Sequence, residues 1–290
     1  MLGPSWRSKL SWQVFSLEHD DPKIFTVSQW QHDKSKPGII YLIYRIVIAL
    51  FLFVTWLLSV IDYKNSNLTA EFRAKYLIYL TNWGYTTCTL QALVCLVMVA
   101  GSVLSSKLKS HPTIEKKVLK LYKFYRLLNV IATPVAFAIT SMYWSVIYDA
   151  STMTFDEMNF FVHGSNSIFM MIDLMVVAHP VIFMHFIYTS IFGITYATFT
   201  LIYYLCGGTS REGNVYIYTI LNWDNPGTTV LTCLGVLVFL IALHCLTWAL
   251  QKLRRISEKG EKSIVDDKTK ETTKKKHQGY VNEGMANDVV

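Results

Sequence analysis

FFVHGSNSIFMMIDLMVV, residues 160–177, is apolar enough to lie in a bilayer, yet it carries His163, Asn166 and Asp173. Those three residues and Met170 follow one another at steps of three and four. On a helix that spacing forms a slowly drifting stripe along one side. Polar groups inside a membrane are costly, so the stripe should face protein rather than lipid. The surrounding chain agrees, with 52% hydrophobic and 16% charged residues in 290, a composition ordinary for a multi-pass membrane protein. Crossing a bilayer as a helix takes about 20 apolar residues. Six runs of that kind are predicted at 39–61, 77–104, 126–148, 159–177, 182–205 and 228–250. The short run 215–221 cannot cross and reads as an interfacial piece.

Charge bias orients the bundle. Lys and Arg gather before the first run, between the second and third (Lys107, Lys109, Lys116, Lys117, Lys120) and after the sixth, where ten fall between Lys252 and Lys276. The alternate connections hold three, none and one. Positive residues stay on the cytosolic side. The predicted fold is thus an all-α integral membrane protein of six transmembrane helices with both termini cytosolic. Its parts are a cytosolic N-terminal segment, 1–38, a six-helix domain, 39–250, and a disordered basic tail, 251–290. The Asn67-Leu68-Thr69 sequon falls on the outer side. The first 38 residues lack an apolar signal core, so the first helix serves as signal anchor.

Several function classes drop out. The five cysteines show neither CxxC spacing nor paired histidines, so neither metal site nor disulfide framework is expected. No phosphate-binding glycine loop implies a cofactor, and Gly207-Gly208-Thr209 reads as a helix stop and turn. The net charge of +7 lies beside the helices, where it suits anionic membrane lipids rather than nucleic acid. The final Asp288-Val289-Val290 could extend the edge strand of a PDZ domain. A transporter or receptor without catalysis is the alternative class, but the apolar middle of the fourth run interrupts any polar path, and no three-helix inverted repeat is visible.

Depth brings two groups of polar residues to the same levels. At 1.5 Å per residue, Thr81 and His163 both lie roughly 6 Å below the outer boundary, and Asp173 about 15 Å deeper than His163. A hydroxyl beside an imidazole can attack an acyl carbon while the histidine relays the proton. Thr81 as nucleophile and His163 as base, with Asn166 or Trp83 arranging the pocket, would suit a lipid ester entering from the bilayer. Each has a packing alternative, since membrane threonines commonly bond a carbonyl one turn back. Tyr218 and Trp223 form either a cap or an ordinary interfacial belt. At the inner level lie Arg45, Asp173, His185 and His244. An Arg45–Asp173 ion pair, with or without a histidine, is expected there because a lone charge is expensive; snorkelling of Arg45 is the alternative.

Tyr79-Leu80-Thr81, His163-Gly164, Asp173 ten residues later, and Pro226-Gly227 together resemble the rolling stone family of multi-pass membrane proteins. More distantly they are similar to the androgen-induced (FAR-17a-like) hydrolases of fatty acid esters. The Thr81–Trp83 continuation and the YYLCGG end of the fifth run follow the rolling stone layout. The first resemblance implies a role in myoblast fusion during muscle formation; an integral protein of this kind would sit in the plasma membrane or endoplasmic reticulum, between which the sequence does not choose. The second implies Thr81 and His163 as a catalytic pair.

Overall fold

The computed structural model describes residues 12–62, 69–107, 112–149, 151 and 155–255. The sequon asparagine and the tail beyond Arg255, with its terminal Asp288-Val289-Val290, lie outside them. Five helices are long and apolar enough to cross a membrane: Ile39–Ile61, Leu80–Lys107, Ile114–Ile147, Phe183–Leu205 and Pro226–Arg255. Among the described residues there is no strand, only an isolated bridge between Ser28 and Val177. We name the regular helices α1 (Ile39–Ile61), α2 (Leu80–Lys107), α3 (Tyr122–Met142), α4 (Asn166–Val176), α5 (Phe186–Leu205) and α6 (Pro226–Arg255).

The fourth predicted run is helical but not among those five. It begins at Glu157–Phe160, where Asp156 caps Asn159 N, continues through a π turn at Phe161–Ser165, and becomes α4. The whole stretch, 157–176, is about 30 Å long at 1.5 Å per residue. Its length is therefore sufficient for a crossing; its polar stripe is what lowers its hydropathy. A second π turn, Tyr143–Ile147, closes α3. The two π turns face each other through their side chains, and π turns often mark sites where a helix re-aims a residue.

Small residues set the spacing of the bundle. α1, α2 and α3 meet over Ala49, Cys88, Ala92, Ala132 and Ala136, with Met170 of α4 against them. Packing by small side chains is how membrane helices approach closely. At Gly84 of α2 an added Cβ would lie 2.2 Å from Ile139 Cδ1 and 2.9 Å from Val135 Cγ1 of α3. Gly193 plays the same part between α5 and α6, where the Cβ would stand 2.8 Å from Leu240 Cδ1. α5 ends as expected at a glycine turn: Gly207 takes φ 73°, while Gly207 N and Gly208 N bond Tyr204 O and Tyr203 O.

The N-terminal segment is packed against the bundle rather than separate from it. Phe25, fully buried, sits among Tyr41, Met98, Val103, Tyr122 and Tyr125. Gln29 N bonds Val176 O and Ala178 N bonds Val27 O, which ties the segment to the end of α4. The described residues up to Trp248 form one compact unit, and 249–255, the end of α6, are grouped apart from it.

Candidate lipid cavity and buried ion pair

A cavity of about 280 Å³ lies at the Thr81 end of the bundle, enclosed by the start of α2, the end of α3, α5 and the first half of α6. Leu80, Val135, Ile139, Phe192, Ala197, Leu234 and Leu237 make its walls apolar. Thr81, Tyr143, Tyr218 and Trp223 bring its few polar atoms. The loop after α5 roofs it: Tyr218 rests edge-on against Tyr79, and Trp223 Nε1 donates to Thr200 Oγ1 at 3.2 Å. Tyr218 and Thr81 lie close together on the cavity wall. Val230, Leu231, Leu234 and Val238 of α6 are exposed, so a single helix divides the cavity from the surroundings on that side. Tyr218 and Trp223 thus roof the cavity, one of the two readings the sequence left open.

The structure does not join Thr81 to His163. Thr81 is buried and faces the cavity. His163 lies flat beneath Tyr143, their ring centroids 3.4 Å apart and their planes within 2°, and does not line the cavity. Tyr143, whose hydroxyl donates to Asn159 Oδ1 at 3.1 Å, is therefore the element through which the imidazole meets the cavity. His163 Nδ1 is buried without a hydrogen-bond partner. Equal depth along two helices says nothing about the rotation of each, and the π turn at Phe161–Ser165 is what turns His163 toward Tyr143.

The two residues expected to arrange the pocket are engaged elsewhere. Asn166 Oδ1 accepts from Thr140 Oγ1 at 3.2 Å, and Ser167 Oγ bonds Thr140 and Ala136 O, which pins α4 to α3. Trp83 Nε1 donates to Leu77 O at 2.6 Å, and its indole packs on Phe192, Tyr196 and Phe199 of α5. Neither lines the cavity.

At the opposite end, Arg45 Nη1 lies 2.6 Å from Asp173 Oδ1. No histidine joins the pair. Tyr41 accepts from Arg45 Nη2 at 2.6 Å; Tyr44 and Gln91 Nε2 donate to Asp173 at 3.1 and 2.8 Å. The chain of contacts continues from Gln91 to Tyr125 and from Tyr125 to His179, which stacks on Phe25. The expected four-residue inner cluster therefore separates. His185 Nε2 donates to Ser16 O, and His244 Nε2 to Ile182 O, both at 3.1 Å. Sequence reasoning missed Gln91, although an amide in an apolar run was a signal of the same kind as Asp173. It also missed Tyr41 and Tyr44, which stand one turn before and directly beside Arg45.

Comparison with known proteins agrees with this architecture. The sequence matches the family described as "Protein rolling stone" over residues 3–268. The chain belongs to the rolling stone family. It is 32% identical over 262 residues to Protein rolling stone of Drosophila melanogaster, covering 87% of this chain and 90% of that protein. No solved structure matches. The match includes the N-terminal segment as well as the helices, and so takes in the residues of both the cavity and the buried ion pair.

Proposed function

We propose that this rolling stone family protein crosses the membrane six times with both termini in the cytosol, and that its outward-facing cavity holds a lipid-like molecule taken from the bilayer. The charge bias of the connections supports the orientation, and the length of the fourth helical run supports the sixth crossing. One observation carries the ligand: a cavity of about 280 Å³ with apolar walls and the Thr81 and Tyr218 hydroxyls at one end. Its volume lies near the lower end of small-molecule sites, at about 300 Å³. Membrane remodelling during myoblast fusion, at the plasma membrane or endoplasmic reticulum, is the process that the rolling stone resemblance implies for it.

A photoactivatable, alkyne-bearing fatty-acyl probe in membranes expressing the chain tests the ligand. Cross-links are expected on peptides of α5 and α6 that line the cavity, and Ala197→Trp should remove them while the protein still folds. Labelling spread evenly over the lipid-facing helices, or unchanged by Ala197→Trp, would refute the reading.

A second reading is a threonine-dependent lipid ester hydrolase with Thr81 as nucleophile and His163 as general base and acid, as the more distant hydrolase resemblance implies. What favours it is Thr81 on the cavity wall with an unpartnered imidazole nitrogen behind Tyr143. Proton transfer needs hydrogen-bond reach between the two groups, so the Tyr143 ring has to move aside on ligand binding. A lipid-like fluorophosphonate separates the readings: labelling lost in both Thr81→Ala and His163→Ala marks an enzyme, and no labelling marks a binding protein.

A further inference from the structure

The bundle holds two arginines at 1% exposure, Arg45 and Arg126, and they are treated differently. Arg45 has Asp173 against it. Arg126, one turn into α3, has no carboxylate partner among the described residues. Its Nη1 donates to Glu18 O at 2.7 Å, while Nε and Nη2 are buried and unbonded. The Glu18 carboxylate turns away, to Lys123 Nζ at 2.6 Å. A buried cation without a counter-charge is expensive, as is the survivor of a broken buried pair. The free Nε–Nη2 edge is the side of a guanidinium that binds an oxyanion through two parallel N–H groups.

Two further donors lie beside it and point at the same stretch of chain. Tyr188 OH donates to Phe15 O at 2.5 Å and His185 Nε2 to Ser16 O at 3.1 Å. Arg126 is close enough to both side chains to act on them electrostatically. Three donors from α3 and the start of α5 thus meet three backbone oxygens, those of Phe15, Ser16 and Glu18. Peptide carbonyls satisfy donors but bring no net charge.

We infer that Arg126, Tyr188 and His185 form a binding site for a phosphate group at this end of the bundle, covered by the Phe15–Glu18 backbone. The cover is removable because the segment is held unevenly. Phe25 is buried and stacked on His179, and Val27, Ser28 and Gln29 are buried and bonded to the 175–178 stretch, whereas residues 13–20 are exposed or half-exposed. Lifting the weaker part frees Arg126 Nη1, Tyr188 OH and His185 Nε2 while the anchored part stays. Phosphate oxygens then replace the three carbonyls and supply the missing negative charge. The chemistry fits either a phosphorylated lipid headgroup or a soluble phosphate ester. The inference rests on the orientation proposed above only for which leaflet would supply a lipid.

The test uses the full chain, purified and reconstituted, with vesicles of phosphatidylcholine alone or with phosphatidylinositol bisphosphate, and inositol trisphosphate in solution. Phosphate-dependent binding is expected. Arg126→Gln, which removes the charge, and Arg126→Lys, which keeps the charge but loses the fork, should each weaken it about tenfold. Competition by inositol trisphosphate at comparable affinity assigns the site to a soluble ester; binding of the lipid alone assigns it to a headgroup. Hydrogen exchange on the unmodified chain supplies a measurement free of folding defects. Amides of 15–19 should exchange faster at saturating ligand while those of 25–29 do not change. Binding that is insensitive to both substitutions, no binding of either probe, or unchanged exchange at 15–19 overturns the inference.

Discussion

The Arg45 guanidinium lies 2.6 Å from the Asp173 carboxylate, with both side chains 1% exposed. Asp173 also accepts from Tyr44 and Gln91, so one carboxylate ties α1 and α2 to α4. Removing one member of such a pair leaves the other buried and uncompensated, at a cost of roughly 3–5 kcal/mol. Asp173→Ala should lower the thermal unfolding midpoint in detergent more than Asp173→Asn, which keeps an oxygen for Gln91. The double change Arg45→Met, Asp173→Leu should recover much of the loss. A double variant as unstable as Asp173→Ala would show that hydrogen bonding, and not charge, holds these helices.

Gly84 sets the distance between α2 and α3. Gly84→Ala should cost about 1–3 kcal/mol by overpacking against Ile139 and Val135. Ile139→Ala should relieve most of that cost when combined with it. Additive losses in a double-mutant cycle would rule out this contact as the cause.

Phe25 anchors the N-terminal segment. Phe25→Ala opens a cavity among Tyr41, Met98 and Tyr125 and should cost roughly 3–5 kcal/mol. Limited proteolysis should then cut within residues 13–30 while the helices remain intact. Unaltered protection of that segment would mean that its backbone bonds to 175–178 suffice.

The Glu18–Lys123 contact gives the segment a pH dependence of known sign. Hydrogen bonding and charge from Lys123 hold the Glu18 carboxyl below the ordinary glutamate range. A depressed folded-state pKa contributes stability above the unfolded value, about 4.3, and that contribution is lost as pH falls through the folded one. Protection of residues 13–20 in hydrogen exchange should therefore be level from neutral pH down to mild acid and fall below it. Glu18→Gln should abolish that acid step. Both groups are exposed, so the step is small and should shrink with salt.

Tyr143 decides whether His163 has any route to the cavity. Tyr143→Ala should raise the accessibility of the imidazole to diethyl pyrocarbonate, while Tyr143→Phe, which keeps the stacked ring, should not. Equal reactivity in all three proteins would place another group over His163.

Hydrophobic run length, the lysine and arginine bias and the spacing of His163, Asn166 and Asp173 are properties of the chain read residue by residue. They were enough to indicate helices and a protein-facing polar stripe, because the bilayer imposes its thickness and its aversion to charge on each segment separately. That Asp173 and Arg45 lie at one level was legible for the same reason. Rotation was not. Which side of α2 meets which side of α4 depends on Gly84, on the small-residue seams and on the two π turns, and these brought Tyr143 to His163 and Tyr218 to Thr81. His185 went to a backbone carbonyl for a related reason: the N-terminal segment, polar and outside every apolar run, folds back onto the bundle, and only tertiary packing brings its carbonyls within reach of α3 and α5.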